Sequence, residues 1–383
     1  MAISTSRTLL DIRSLPATRE VIAYKDGGLF PVLALTPGGI IVAVVRGGAG
    51  HHGLTGRIEV IRSFDCGHTW SPPNVVADSD WDDRNPALGV SNMGALLLAY
   101  QRVGSYDAEG NSYPVLPGSS DMRSEIMVTR SFDAGLTWER PIPLPVESLR
   151  TGTPFGKIVA LDDGTLLLPV YGAQGYGTRS SEVCSHLVRS HDDGQSWGEP
   201  SLVAAGMNET ALLVLENGDL LAVMRAEEGD AALDSARSSD GGLTWSRPQQ
   251  VTGRHQHPGD LLRLANGDIL LTYGNRTPPY RIEGRISRDN GHTWLDGLLI
   301  FSGALYGYAI DTPPRTDLGY PSTAICRGSG RGQGVTMYYY NPSIQSPPDW
   351  RQRAGNPLYI AQGYYAIAVA WSEAELIARL DAL

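Results

Sequence analysis

RSSDGGLTW, Arg237 to Trp245, is one of five versions of a single motif in this chain. The others are RSFDCGHTW (62 to 70), RSFDAGLTW (130 to 138), RSHDDGQSW (189 to 197) and ISRDNGHTW (286 to 294), all sharing S-x-D-x-G-x-[TS]-W. Successive tryptophans lie 68, 59, 48 and 49 residues apart, the period of a repeat architecture in which each unit is one small sheet. Inside the motif, a Ser, an Asp whose carboxylate accepts backbone N–H groups and a Gly able to take positive φ make a tight turn. The Trp then opens the next strand and offers a large ring to the neighbouring unit. Residues of this kind serve the turn, so the motif is read as a folding device and not as five separate sites.

Working outward, each motif is preceded by two apolar runs joined by a turn. These are residues 31–46, 86–102, 157–172, 210–225 and 260–274, and a sixth, 322–341, follows the last motif. Turns such as Pro37-Gly38-Gly39 and Asn217-Gly218 between apolar runs are the signal of buried hairpins. Six hairpins predict six four-stranded sheets, and arranging them radially leaves only short, protected edges. The expected fold is therefore all-β, a six-bladed β-propeller forming a single domain over residues 1–383. Its sixth blade lacks the motif and is closed by an N-terminal strand at 19–24 and a C-terminal strand at 364–371. The final stretch, SEAELIARLDAL, carries a Ser cap and helical spacing, which predicts a short C-terminal helix.

Composition agrees with this scheme. The chain has 383 residues, with 45 Gly and 25 Pro but only 19% charged residues, which suits short strands and turns better than long helices. Cys66, Cys184 and Cys326 are an odd number without metal-ligand spacing, so neither a disulfide framework nor a metal site is expected. His255-Gln256-His257 lacks a third ligand of clear spacing. A formal net charge of −10 provides no basic field for nucleic acid, and no apolar run reaches the length of a membrane span. The N-terminal residues interrupt any signal core with Asp11 and Arg13. A cytoplasmic location is the expectation, and a secreted chain already relieved of its signal would read the same way.

Up-and-down connectivity predicts where a site belongs. The motif joins strands three and four of each sheet, on the same end as the first hairpin turn. The opposite face is built from the starts of first strands, the ends of second strands and the loops that follow. Those positions hold Phe30, Arg84, Phe155, Glu209, His257, Asp260 and Tyr320, and then Arg46, Arg102, Tyr171, Arg225, Tyr273, Arg276 and Tyr340. The loops at 47–56 and 103–122 are long enough to be binding loops.

The five motifs, with NETALLVLENGDLLAVMR and GYPSTAI, resemble the sialidase (neuraminidase) superfamily of Asp-box, or BNR-repeat, propellers. The resemblance implies a retaining exo-glycoside hydrolase that releases a terminal anionic sugar of the sialic acid type, with no cofactor and a glycan as partner. By match to the family pattern, Tyr320 is the nucleophile and Glu209 its base, and Arg225 is a clamp for the substrate carboxylate. Arg281, or else Arg276 or Arg285, falls near a further clamp position. A phenol makes chemical sense here, because a carboxylate nucleophile would be repelled by a carboxylate on the anomeric carbon. A guanidinium fork suits that carboxylate.

Two positions depart from the family pattern. Leu29-Phe30-Pro31 stands where the first clamp arginine is expected, and the loop 47–56 carries His51 and His52 where the acid Asp is expected. Arg46 or Arg84 is the candidate replacement for the clamp, and His52, His51 or Asp83 for the acid; His257 is a further candidate contact to substrate. Structural roles are the competing readings: Glu209 as a buried acid bonded to backbone, Tyr320 as a core aromatic with a polar tip. Two other functions fit the same fold. One is a glycosidase or polysaccharide lyase for arabinose, rhamnose or uronic acid, with Glu283 or Asp260 as the second carboxylate. The other is a non-catalytic carbohydrate-binding propeller, in which Glu209 and Tyr320 stay apart. Oligomeric state is not legible.

Overall fold

In the computed structural model, residues 9–104, 106, 123–146, 148–149, 151–173, 183–278, 280–295, 298–301, 317–327, 332–341 and 361–382 are described. The loop 103–122 lies largely outside them, as does the turn within the sixth hairpin. The strands form six antiparallel four-stranded units about an axis, the six-bladed propeller that the repeat predicts. Blade one contains Leu29–Leu35, Ile41–Gly47, Arg57–Ser63 and Asn74–Ala77. Blades two to five repeat the plan from first strands Asp82–Val90, Gly156–Ala160, Met207–Val214 and Gln256–Arg263. Blade six runs Asp317–Cys326, Gln333–Asn341, Tyr365–Ser372, and its outermost strand is Arg19–Lys25 from the other end of the chain. The pairing Arg19↔Ala370 to Lys25↔Tyr365 thus joins the N- and C-terminal segments in one sheet.

Burial follows the blades. Six apolar clusters lie one between each pair of neighbours, such as Val32, Val42, Val44, Leu88, Leu96 and Leu98 between blades one and two. Leu33, Ile41, Val335 and Met337 close the ring between blades one and six. Strands covered on both faces must be apolar at every position, which explains unbroken runs such as Ile41–Val45, all fully buried. The first strands of all six blades line an axial cavity of about 300 Å³.

The recurring motif is a self-contained hydrogen-bonded turn. In blade four, Ser238 Oγ donates to Asp240 Oδ1 (2.7 Å) and accepts from Gly242 N (2.9 Å), while Asp240 also accepts from Thr244 N (2.9 Å) and Thr244 Oγ1 (2.5 Å). Blades one, two, three and five repeat this with Asp65, Asp133, Asp192 and Asp289. The glycine also permits close approach between blades. A Cβ at Gly67, Gly194, Gly242 or Gly291 would come within 2.8 Å of Val335, Leu97, Leu187 or Leu221, each on the preceding blade in the ring. The four Trp residues of blades one to four donate Nε1–H to the motif's own glycine carbonyl at 3.2 Å.

Register fixes the two faces. Leu29, Arg46 and Ile58 align at one end of blade one, and Leu35, Ile41 and Ser63 at the other. The motif turns therefore sit opposite the first-strand starts. Two features go beyond the expected plan. Leu9–Asp11 adds a parallel fifth strand to blade five, and Ile12 and Leu15 behind it pack with Leu376 and Leu380 of the C-terminal helix Glu373–Asp381. That helix is capped by Ser372, whose Oγ accepts from Glu375 N at 3.3 Å.

Candidate active site at the mouth of the ring

The mouth is shaped by one device used repeatedly. Five first strands break register shortly after their start, at Phe30-Pro31, Asn85-Pro86, Glu209-Thr210, His257-Pro258 and Tyr320-Pro321. Phe30, Asn85, Glu209 and Tyr320 have φ of 52°, 46°, 32° and 53°. A bulge of this kind bends the strand and re-aims a side chain, and strained backbone of this type is concentrated at functional sites. Glu209 in blade four and Tyr320 in blade six thereby leave the sheet plane and meet over the axis.

Tyr320 Oη donates a short hydrogen bond to Glu209 Oε1. Arg225 Nη1, one strand further out, donates to Glu209 Oε2 at 3.1 Å, and Asn208↔Arg225 is the register pair that puts the two side chains together. Arg276 lies over the Tyr320 ring, its Cζ 5.8 Å from the centroid, and its Nη2 donates to Tyr339 Oη at 3.0 Å. Burial, then the Glu209 charge, hold the Tyr320 phenol well above its ordinary value. At rest it is a phenol, and Glu209 accepts its hydrogen bond. Phe30 and Phe155 flank the same ring at 4.7 and 5.8 Å.

The two adjacent histidines face opposite charges. His51 Nε2 is 2.6 Å from Asp317 Oδ2, and Asp317 also accepts from Tyr364 Oη (2.7 Å) and Tyr339 Oη (3.0 Å). Burial would raise the Asp317 carboxyl, but His51, Arg276 and the Tyr364 hydroxyl outweigh it and hold it low. His52 Nδ1 is instead 2.8 Å from Arg84 Nη1. Burial, reinforced by Arg84, lowers His52 to about 2.

Other candidates have different surroundings. Arg46 is fully buried, with Nε on Gly50 O (2.7 Å) and Nη1 on Asp82 and on Asp83 O (2.5 Å). It anchors the loop 47–56 from below and presents no guanidinium edge to the mouth. Asp83 turns its carboxylate to Ser79 N (2.7 Å) and Ser79 Oγ (3.0 Å), and burial outweighs those bonds to raise it. Arg281 pairs with Glu283 at 2.5 Å, and Glu283 is further held by Asn275 and Gln256. Asp260 is tied to Lys157 Nζ at 2.8 Å, which spans the axial cavity from blade three to blade five. His257 is 3% exposed and held low by burial, then by Arg276 and Arg225. Glu209, Tyr320, Arg225, Arg276 and His257 thus come together at the mouth. Arg84 and His52 stand beside them, and Arg46, Asp83 and Arg281 are engaged elsewhere.

Asp317, Tyr339 and Tyr364 were not singled out from the sequence. Tyr340 is the residue expected at this second-strand end, and the register Gly319↔Tyr339 puts its neighbour Tyr339 beside the bulge. Several buried nitrogens at the mouth have no hydrogen-bond partner among the described residues, namely Nε of Arg84, Arg225 and Arg276 and Nδ1 of His257. Unpaired buried donors carry a desolvation cost that a polar ligand would relieve. Among the described residues no three His, Cys, Asp or Glu side chains converge as a metal site.

A six-bladed ring with these turns on one face and a phenol–carboxylate pair flanked by arginines on the other defines a sialidase-like Asp-box propeller. The BNR repeat-like domain model matches residues 39–333, and the chain belongs to that family. A protein of unknown function from Dyadobacter fermentans superposes with a TM-score of 0.72 at 22% identity, covering 94% of this chain and 100% of that one. A Hadza microbial sialidase gives 0.67 at 17% identity, over 91% of this chain and 66% of that one. Trypanosoma rangeli sialidase in complex with sialic acid gives 0.67 at 16% identity, over 97% and 61%. In sequence, a xyloglucanase from a Paenibacillus species is 26% identical over 244 residues, 56% of this chain and 22% of that protein. The chain therefore spans about a fifth of the length of that curated relative.

Proposed function

We propose that this protein is a retaining exo-glycoside hydrolase acting on a terminal anionic sugar, with Tyr320 as nucleophile and Glu209 as its base. The observation that carries the reading is the hydrogen bond from the Tyr320 phenol to Glu209 at the mouth; a purely carbohydrate-binding propeller has no need of it. In the first step the phenolic oxygen attacks the anomeric carbon as its proton passes to Glu209, and the aglycone leaves. Water then releases the sugar from the tyrosyl intermediate, with net retention. Arg225 and Arg276 flank the reacting pair and are suited to a carboxylate on the sugar, which would also satisfy their unpaired Nε groups. The sialidases among the structural neighbours are consistent with this substrate class.

A second reading, a neutral terminal sugar, is favoured by Leu29-Phe30-Pro31, which stands where the first clamp arginine is expected and sets the Phe30 ring 4.7 Å from that of Tyr320. The xyloglucanase relative points the same way. Purified protein should be assayed on aryl glycosides of a sialic acid, a uronic acid, arabinose and rhamnose. Turnover of the sialoside or uronide alone supports the anionic reading. Turnover of the neutral glycosides alone replaces it with the second. Failure on all four rules out both hydrolytic readings for these sugars.

A further inference from the structure

The loop 47–56 brings two consecutive histidines to the mouth, and their partners divide their labour. A guanidinium can only donate, so the 2.8 Å contact of Arg84 Nη1 with His52 requires Nδ1 to be an acceptor. Protonating that nitrogen would break the bond and set two cations against each other. His51 is the reverse case. Its Nε2 faces Asp317, which also collects hydrogen bonds from Tyr364 and Tyr339 and is thus fixed as an ionised acceptor. With Nε2–H committed to the carboxylate, Nδ1 has no hydrogen-bond partner among the described residues and is the nitrogen left to exchange a proton with a ligand, the arrangement in which a buried acid orients a catalytic imidazole.

Position supports the same assignment. The His51 ring packs edge-on against Phe30 (5.1 Å) and Tyr339 (5.6 Å), and Tyr320 packs against the same two rings at 4.7 and 5.7 Å. His51 and the nucleophile therefore border one aromatic wall. The His51 side chain is 17% exposed, open enough to meet a substrate.

We infer that His51, oriented by Asp317, is the general acid and base of the glycosidase reaction. The inference rests on the hydrolytic reading above. In the first step the bond from the anomeric carbon to the aglycone oxygen breaks, that oxygen takes the electron pair and a proton from His51, and the Tyr320 proton goes to Glu209. In the second step water gives a proton to His51 as it attacks the anomeric carbon, and the Tyr320 oxygen leaves and recovers its proton from Glu209. Asp317 is a positioning residue that stabilises the imidazolium.

The test uses two aryl glycosides of the one sugar found to be turned over, a phenyl glycoside that needs protonation and a dinitrophenyl glycoside that does not. His51→Gln should lose roughly 100-fold or more in kcat/KM on the phenyl substrate and retain the dinitrophenyl substrate within about fivefold. Asp317→Asn should show the same asymmetry, which keeps the test available should His51→Gln not fold. Equal losses on both substrates in His51→Gln and Asp317→Asn, or no loss in either, would overturn the dyad while leaving the hydrolytic reading intact. A wild-type protein inactive on every glycoside would instead remove that reading and this one with it.

Discussion

Tyr320 and Glu209, 111 residues apart in the chain, share a hydrogen bond at the mouth of the ring because each occupies the same bulge position in a different blade. Glu209 is 2% exposed and accepts from both Tyr320 and Arg225. As the proposed base it cannot be replaced by an amide, which accepts a hydrogen bond but takes no proton. Glu209→Gln should lower kcat by about 10²- to 10⁴-fold with a cooperative thermal transition retained. A kcat within threefold of wild type would show that the carboxylate is structural.

Arg276 bonds Tyr339 and covers the face of Tyr320, and the absence of a Cβ at Gly319 makes room for it, since a Cβ there would lie 2.8 Å from Nη2. Lysine keeps the charge but loses the planar fork. Arg276→Lys should therefore raise KM for an anionic glycoside by about tenfold or more. Should KM remain unchanged, the substrate carboxylate is held elsewhere.

The Lys157–Asp260 pair ties three blades across the axial cavity, with Lys157 Nζ also donating to Thr323 O at 2.8 Å and Thr323 N donating to Asp260. Removing one partner strands a buried charge. Lys157→Met should destabilise by about 3–5 kcal/mol, and the double variant Lys157→Met/Asp260→Leu by clearly less. Denaturant midpoints of the three proteins check this; an additive or larger loss in the double variant would count against a buried-charge penalty.

Two histidines predict acid sensitivity. His52 and His257 are both held low by burial, with His52 at about 2. Below about pH 6.5 the unfolded chain binds protons at these positions and the folded chain does not, so stability is lost as pH falls from there. Each contributes a slope of about 1.4 kcal/mol per pH unit at most. His257→Gln should flatten stability between pH 6.5 and 4.5 relative to wild type, read from urea midpoints. An unchanged slope would mean that His257 titrates normally in the folded protein.

The architecture was legible because it repeats. Five turns and six apolar hairpins state the blade count several times over, and strand alternation states the faces. The edge strand Leu9–Asp11 was not legible, since three residues pairing with Leu298–Ile300 carry no periodicity. Reading position from topology brings Glu209, Arg225 and Tyr320 to the mouth, where the structure joins them by hydrogen bonds. It faltered where tertiary contacts redirect a side chain. Arg46 ends a strand at the mouth, yet its guanidinium folds into the loop below, against Gly56, where a Cβ would come within 2.5 Å of three of its atoms. Asp317 was passed over because its partners His51, Tyr339 and Tyr364 come from other strands and loops.

The central claim is that the Tyr320 oxygen becomes bonded to the sugar. The most direct measurement is intact and peptide mass after incubation with a fluorinated glycosyl fluoride of the sugar turned over, in which fluoride leaves and the slow second step traps the intermediate. The account predicts one glycosyl unit per chain, carried on the peptide containing Tyr320 and absent in Tyr320→Phe. A label on another residue, or turnover of the aryl glycoside by Tyr320→Phe at the wild-type rate, would contradict it.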